Sequence, residues 1–140
     1  MKGIAFALAL CASTHAFAEC SPADEIATRS GLPVSRIQAI LQDCDANQTS
    51  MNFCAWRDQL VAERELQQAI DRHSDANPDR QRALESKMAK WKKARDASCD
   101  TSAREEWGSG SMRPAARATC ATAATKAMTA KLASQGSRTQ

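Results

Sequence analysis

Six cysteines, two histidines and one glycine-rich loop are the features of this 140-residue chain whose types could do chemistry. Five cysteines lie beyond residue 18: Cys20, Cys44, Cys54, Cys99 and Cys120. Zinc would need clustered Cys or His ligands. No Cys-x-x-Cys spacing occurs, and His73 is the sole imidazole after residue 18. His73 has no evident nucleophile beside it, and the Glu105-Glu106 pair reads as solvated charge. No catalytic, cofactor-binding or metal residue is therefore assigned, and an enzyme is not expected. Gly108-Ser109-Gly110-Ser111 lacks the Lys and helix spacing of a phosphate-binding loop. It reads as a flexible connection or as a recognition loop carried on a rigid scaffold, with Glu105, Glu106, Trp107, Ser109 and Ser111 as its candidate partner-binding residues.

The cysteines have a compartment argument behind them. Met1 to Ala18 reads as a secretory signal peptide: Lys2 is its positive end, Ile4 to Ala12 its apolar stretch, and Ala16-Phe17-Ala18 a small-x-small cleavage site. The apolar stretch is too short to span a membrane as a helix. Lipidation is disfavoured because Cys11 follows Leu10 and Cys20 follows Glu19, neither of them small. Cleavage removes one basic residue, Lys2, and no acidic one, so the formal charge falls from +3 to +2. That balance does not indicate nucleic acid, and it selects no partner by charge. The expected chain is periplasmic or secreted, without a membrane span, and oxidised, which makes disulfides the default with one cysteine left over.

The element that must position these groups is a long helical hairpin from Cys54 to Cys99, turning at His73 to Pro78. Phe53, Trp56, Leu60, Leu66, Ala69 and Ile70 recur at helical spacing, and so do Leu84, Met88, Trp91 and Arg95. Folding about the midpoint between Ala76 and Asn77 places Ile70 beside Leu84, Leu66 beside Met88 and Leu60 beside Trp91. The same register sets Cys54 opposite Cys99, and a disulfide there is expected. Cys20 and Cys44 are equidistant from Leu32, so that pairing is also geometrically open. Asn77 is a good N-cap, and Pro78 suits the first helical position. Trp and Met on these stripes read as core rather than as a ligand box. Arg95 reads as structural, stacking on Trp91 or reaching Glu63 or Asp58, whereas Arg95 and Asp96 are not expected to pair with each other.

Before the hairpin, residues 19–43 read as an N-terminal extension of two short helices. Ser21 and Pro22 open the first and Gly31 ends it; a Ser35–Gln38 capping box opens the second. Residues 31–37 have the flavour of a DNA-binding helix-turn-helix, but an exported chain has no DNA to read. Thr49 or Ser50 is expected to cap the long helix, and Asn47-Gln48-Thr49 fits a glycosylation sequon. After Cys99, residues 100–114 read as a connection. A last helix from about Ala115 to Leu132 carries Cys120, Ala124, Met128 and Leu132, and residues 134–140 read as a disordered tail. The fold class is all-α, a small disulfide-stapled helical bundle built on a long antiparallel hairpin.

The run from Cys44 to Ala55, with its Ala-x-Gln-Thr turn and Met51-Asn52-Phe53-Cys54, resembles the opening motif of the bacterial lysozyme inhibitor LprI-like family. Ala62 to Gln67 is similar to the family's Ala-Asp-x-Glu-Leu-Asn signature. Trp91, the Arg95-Asp96 pair and Cys99 match its second helix, Gly108 to Pro114 its Gly-Gly-Ser loop, and Cys120, Thr125 and Leu132 its closing helix. The resemblance covers residues 44–132, with the domain itself taken as 44–133. The chain departs from the pattern at Glu63, Gln67, Ile70, Met88 and Met128, in its shorter Cys44–Cys54 spacing, and in its N-terminal extension.

The resemblance implies a helical exported domain whose namesake activity is inhibition of lysozyme. It implies cystines among Cys44, Cys54, Cys99 and Cys120; beside the Cys54–Cys99 pair of the hairpin this leaves Cys44–Cys120. Cys20 becomes the odd thiol, free or joining two chains as a dimer. Three functions follow: an inhibitor whose protein partner is a lysozyme, an envelope interaction module with another partner, and, least supported, a hydrolase.

Overall fold

The computed structural model of the chain describes residues 20–74 and 77–136, and Met1–Ala18 lies outside them. Among the described residues there are five helices and no strand. They are α1 Pro22–Ser30, α2 Val34–Ile40, α3 Gln48–Ser74, α4 Pro78–Trp107 and α5 Arg113–Gly136. Residues 134–136 of the expected tail are thus helical. Among the described residues no helix is long and apolar enough to cross a membrane.

Local chemistry accounts for most boundaries. Ser21 Oγ accepts from the Asp24 N–H at 3.2 Å, and the Asp24 carboxylate accepts from the Ser21 N–H at 3.0 Å, closing a capping box on α1. Gly31 ends that helix at φ +72°, where a side chain would be strained. α2 begins at Val34 after Pro33, with no side-chain cap. Ser35 therefore lies inside the first turn and the expected Ser35–Gln38 box does not form. Asn47, rather than Thr49 or Ser50, caps α3: its Oδ1 accepts from the Ser50 N–H at 3.0 Å, three residues on. Asn77 caps α4 through the N–H groups of Asp79 and Arg80, both at 3.1 Å, with Pro78 following it as expected.

α4 runs well past Cys99. Residues 100–107, expected in a connection, continue the helix, with Thr101 Oγ1 donating to the Ala97 carbonyl at 2.9 Å. The real turn is residues 108–112. Gly108 has φ +56°, and a Cβ on Gly110 would sit 2.9 Å from the Trp107 carbonyl oxygen. Those two glycines allow α5 to fold back tightly.

The hairpin holds near its turn. Leu66, Ala69, Ile70 and Met88 form one cluster with Leu132, flanked by Leu84, Trp91 and Met128. Farther out the two-helix picture fails. The α3–α5 contact is the most extensive in the fold, α4–α5 comes next, and α3 and α4 meet over less. α5 buries Leu132 and the small residues Ala115, Ala118, Ala121 and Thr125, which let its backbone approach closely. Leu60 does not meet Trp91 but joins Ile26, Ala27 and Ile37 beneath α1 and α2. Burying the two isoleucines fully contributes about 2–3 kcal/mol each, enough to hold two helices too short to persist alone.

The cystines are corrected by the same geometry. The structure pairs Cys44 with Cys54 and Cys99 with Cys120, at Cα separations of 5.8 and 5.6 Å. The Cys54–Cys99 pair expected from the hairpin and the Cys44–Cys120 pair implied by the resemblance are not formed. Because α5 occupies the third position of the bundle, α4 meets it through Cys99, while Cys54 faces the loop before α3. The loops closed span 10 and 21 residues, worth roughly 3 kcal/mol each in the chain-entropy model. Cys20 is exposed and free, outside both bridges, and nothing in the single chain supports a dimer through it.

Candidate binding surfaces flanking the α3–α5 seam

At the bundle centre, one polar cluster ties three helices. The Arg95 side chain is 2% exposed. Its Nη2 donates to Glu63 Oε1 at 2.7 Å, its Nη1 to Thr125 Oγ1 at 2.6 Å, and its Nε and Nη2 to Asp96 Oδ1 at 3.0 and 2.8 Å. Its guanidinium carbon lies 5.4 Å from the Trp91 ring centroid. The reach to Glu63 and the stacking on Trp91 match the sequence reading. The Arg95–Asp96 contact corrects it, because the long Arg side chain folds back over its own turn to an adjacent carboxylate. All three nitrogens of Arg95 donate to partners within the cluster, so it positions helices and offers little to a ligand.

The α4–α5 corner gathers the residues singled out in the sequence. Glu105, Glu106 and Trp107 occupy the last turn of α4, and Ser109 and Ser111 the turn after it; all five are exposed. The Ser111 carbonyl accepts from Asn52 Nδ2 at 3.1 Å, holding the turn against α3. Arg113 donates to Asp100 at 3.0 Å, bracing the start of α5 on α4. That hydrogen bond, helped by the charges of Arg113, Arg104 and Arg117, holds the Asp100 carboxyl below the usual carboxylate range.

Glu106 and Trp107 border an open groove of about 520 Å³ that also takes in Met51, Met112 and the Cys44–Cys54 bridge. Trp107 and Met51 are 40% and 37% exposed, two of the three large apolar side chains most open to solvent. Asp45, Asp58 and Glu106 rim the groove, and no cation lines it. Arg57, just outside, pairs with Asp58 at 2.8 Å. Glu105 does not line the groove, and Ser109 borders a separate small pocket with Arg113 and Arg117. Sequence reasoning missed Met51, Asp45 and Asp58 as groove residues, which the packing of α5 on α3 brings to Trp107, whereas Met112 ends the turn that follows Trp107. Met51 carried one signal, lying off the apolar stripe of α3.

A second cleft of about 640 Å³ lies on the other side of the seam. Arg29, Lys92, Arg95 and Arg117 line it with Glu63 and Asp96, over a floor that includes Phe53 and Trp56. No group of three or more His, Cys, Asp or Glu able to hold a metal occurs among the described residues.

No curated protein and no solved structure matches this chain. A family model described as lysozyme inhibitor LprI matches residues 42–132, from just after α2 through most of α5, and leaves α1 and α2 outside. That match takes in well over half the chain, all three long helices and both disulfides, and the chain therefore belongs to the LprI lysozyme inhibitor family.

Proposed function

We propose that this chain is an exported, non-enzymatic inhibitor that binds a lysozyme through the α4–α5 corner. The observation carrying this reading is the pairing of exposed Trp107 and Met51 with the carboxylates of Asp45, Asp58 and Glu106. Aromatic and Met side chains in a rigid setting supply binding energy at low entropic cost, and an acidic rim favours a cationic enzyme surface. The corner is braced by Cys44–Cys54 on one side, Cys99–Cys120 on another, and the Arg113–Asp100 pair. Such bracing limits the ordering cost of association. Lysozyme acts through two carboxylates flanking a glycan in an open cleft, so a protein seated over the cleft stops turnover by excluding substrate. Two cystines and membership of this family suit a compartment outside the cytoplasm.

The test is lysozyme activity titrated with the oxidised protein, across several lysozyme types. Inhibition should weaken at least about tenfold for Trp107→Ala, the range expected of a central aromatic anchor. Equal inhibition by wild type and by a Trp107→Ala, Glu106→Lys double variant would move the contact surface elsewhere.

A further inference from the structure

We infer that the cleft between α3, α4 and the start of α5 is a binding site for a carboxylated oligosaccharide, separate from the lysozyme-docking corner. The lining holds four cations against two carboxylates, and both carboxylates already accept from Arg95. Arg29 is paired with Glu25 at 2.8 Å. Lys92 and Arg117 have no ion pair among the described residues, although the charge of Arg117 reaches Asp100. Two cations thus border one cleft with their charge largely unspent on the protein.

The remaining lining points to sugar rings rather than to a bare anion. Phe53 and Trp56, with ring centroids 6.1 Å apart, form an aromatic surface that is only half-buried. The C–H faces of pyranose rings stack on such surfaces. Gln59 donates its side-chain N–H to Glu63 at 3.0 Å, which orients its carbonyl oxygen as an acceptor for hydroxyls. A volume of about 640 Å³ accommodates a few sugar units within the usual range of ligand pockets. Pro114 and Arg117 also line the smaller pocket beside Ser109 and Gly110, so the cationic surface continues along α5. α1 supplies Arg29 from outside the family-matched region, so the extension completes this cleft.

The test uses the intact oxidised protein and three probes: tetragalacturonate, neutral chitotetraose and tetraglutamate. Calorimetry at low salt should show tetragalacturonate binding at least about tenfold more tightly than either of the others, weakening as salt rises. A Lys92→Gln, Arg117→Gln double variant should lose at least about tenfold, and amide shifts on titration should centre on Trp56, Gln59, Lys92 and Arg117. Neither residue holds an ion pair, so a folded variant is expected, and its circular dichroism checks this. Absence of binding, equal affinity for all three probes, tetraglutamate matching tetragalacturonate, or shifts centred on Trp107 would each overturn the proposal. Lysozyme is absent from the assay, so its outcome is independent of the inhibitor reading.

Discussion

The α3–α5 seam divides two surfaces of opposite character. On one side, Met51 and Trp107 stand exposed among three carboxylates; on the other, Trp56 lies half-buried among four cations. Both are built from the same two helices. On α3, Asn52, Trp56, Gln59 and Glu63 face one cleft, and Met51, Ala55 and Asp58 face the other. On α5, Pro114 and Arg117 divide in the same way from Ala115 and Thr119. One residue of helical phase therefore decides which chemistry a side chain serves. A formal net charge of +3 over the whole sequence averages the two surfaces and conceals both.

The largest expected effect removes what the two surfaces share. Arg95→Ala breaks the link among Glu63, Asp96 and Thr125, empties volume beside Trp91, and should destabilise the fold by about 2–4 kcal/mol in urea unfolding. Arg95→Lys should recover little, since one ammonium cannot serve three acceptors arranged for a planar fork. Full stability of Arg95→Ala would show that the seam holds without the cluster.

Next come the cystines. Replacing Cys99 and Cys120 by Ala should cost roughly 3 kcal/mol, loosening α4 from α5 and weakening both surfaces. Replacing Cys44 and Cys54 should cost a similar amount in the entropy model. It should also act asymmetrically, because that bridge borders only the acidic groove: lysozyme inhibition should fall while tetragalacturonate affinity stays within about twofold. Peptide mapping of the oxidised protein checks the pairing itself, and a Cys54–Cys99 peptide would contradict it.

The smallest effect is a pH dependence at the corner. The folded Asp100 carboxyl is held below its unfolded value, so its contribution to stability is present above about pH 4 and is lost as pH falls through the lowered folded value. Thermal midpoints of wild type and Asp100→Asn should therefore differ slightly at neutral pH and converge in strong acid. A gap that widened on acidification would have the wrong sign.

The sequence carried the local grammar of the fold well. Ser21, Gly31, Asn77 and Pro78 act where their side chains or backbone preferences say they should, because capping is decided within four residues. The Ile70, Leu66, Leu84 and Met88 cluster followed from periodicity for the same reason. The packing of α5 was not legible in this way. An Ala-rich helix with no bulky stripe gives little sign of which partners it takes, yet by packing on both α3 and α4 it set the cystine pairing and moved Leu60 into another cluster. The candidate corner was half legible. Glu106 and Trp107 are neighbours in sequence, but Met51 and Asp45 lie some fifty residues or more away and reach them only through the α5 packing. The cationic cleft was illegible, since Arg29, Lys92 and Arg117 come from three helices and match no local pattern.

The most direct test of the central claim is a lysozyme activity titration comparing three oxidised proteins: wild type, Trp107→Ala with Glu106→Lys, and Lys92→Gln with Arg117→Gln. Inhibition by wild type, its loss in the first double variant and its retention in the second is the predicted result. No inhibition by wild type, or loss confined to the Lys92 and Arg117 variant, would contradict the assignment of the acidic corner as the lysozyme-binding surface.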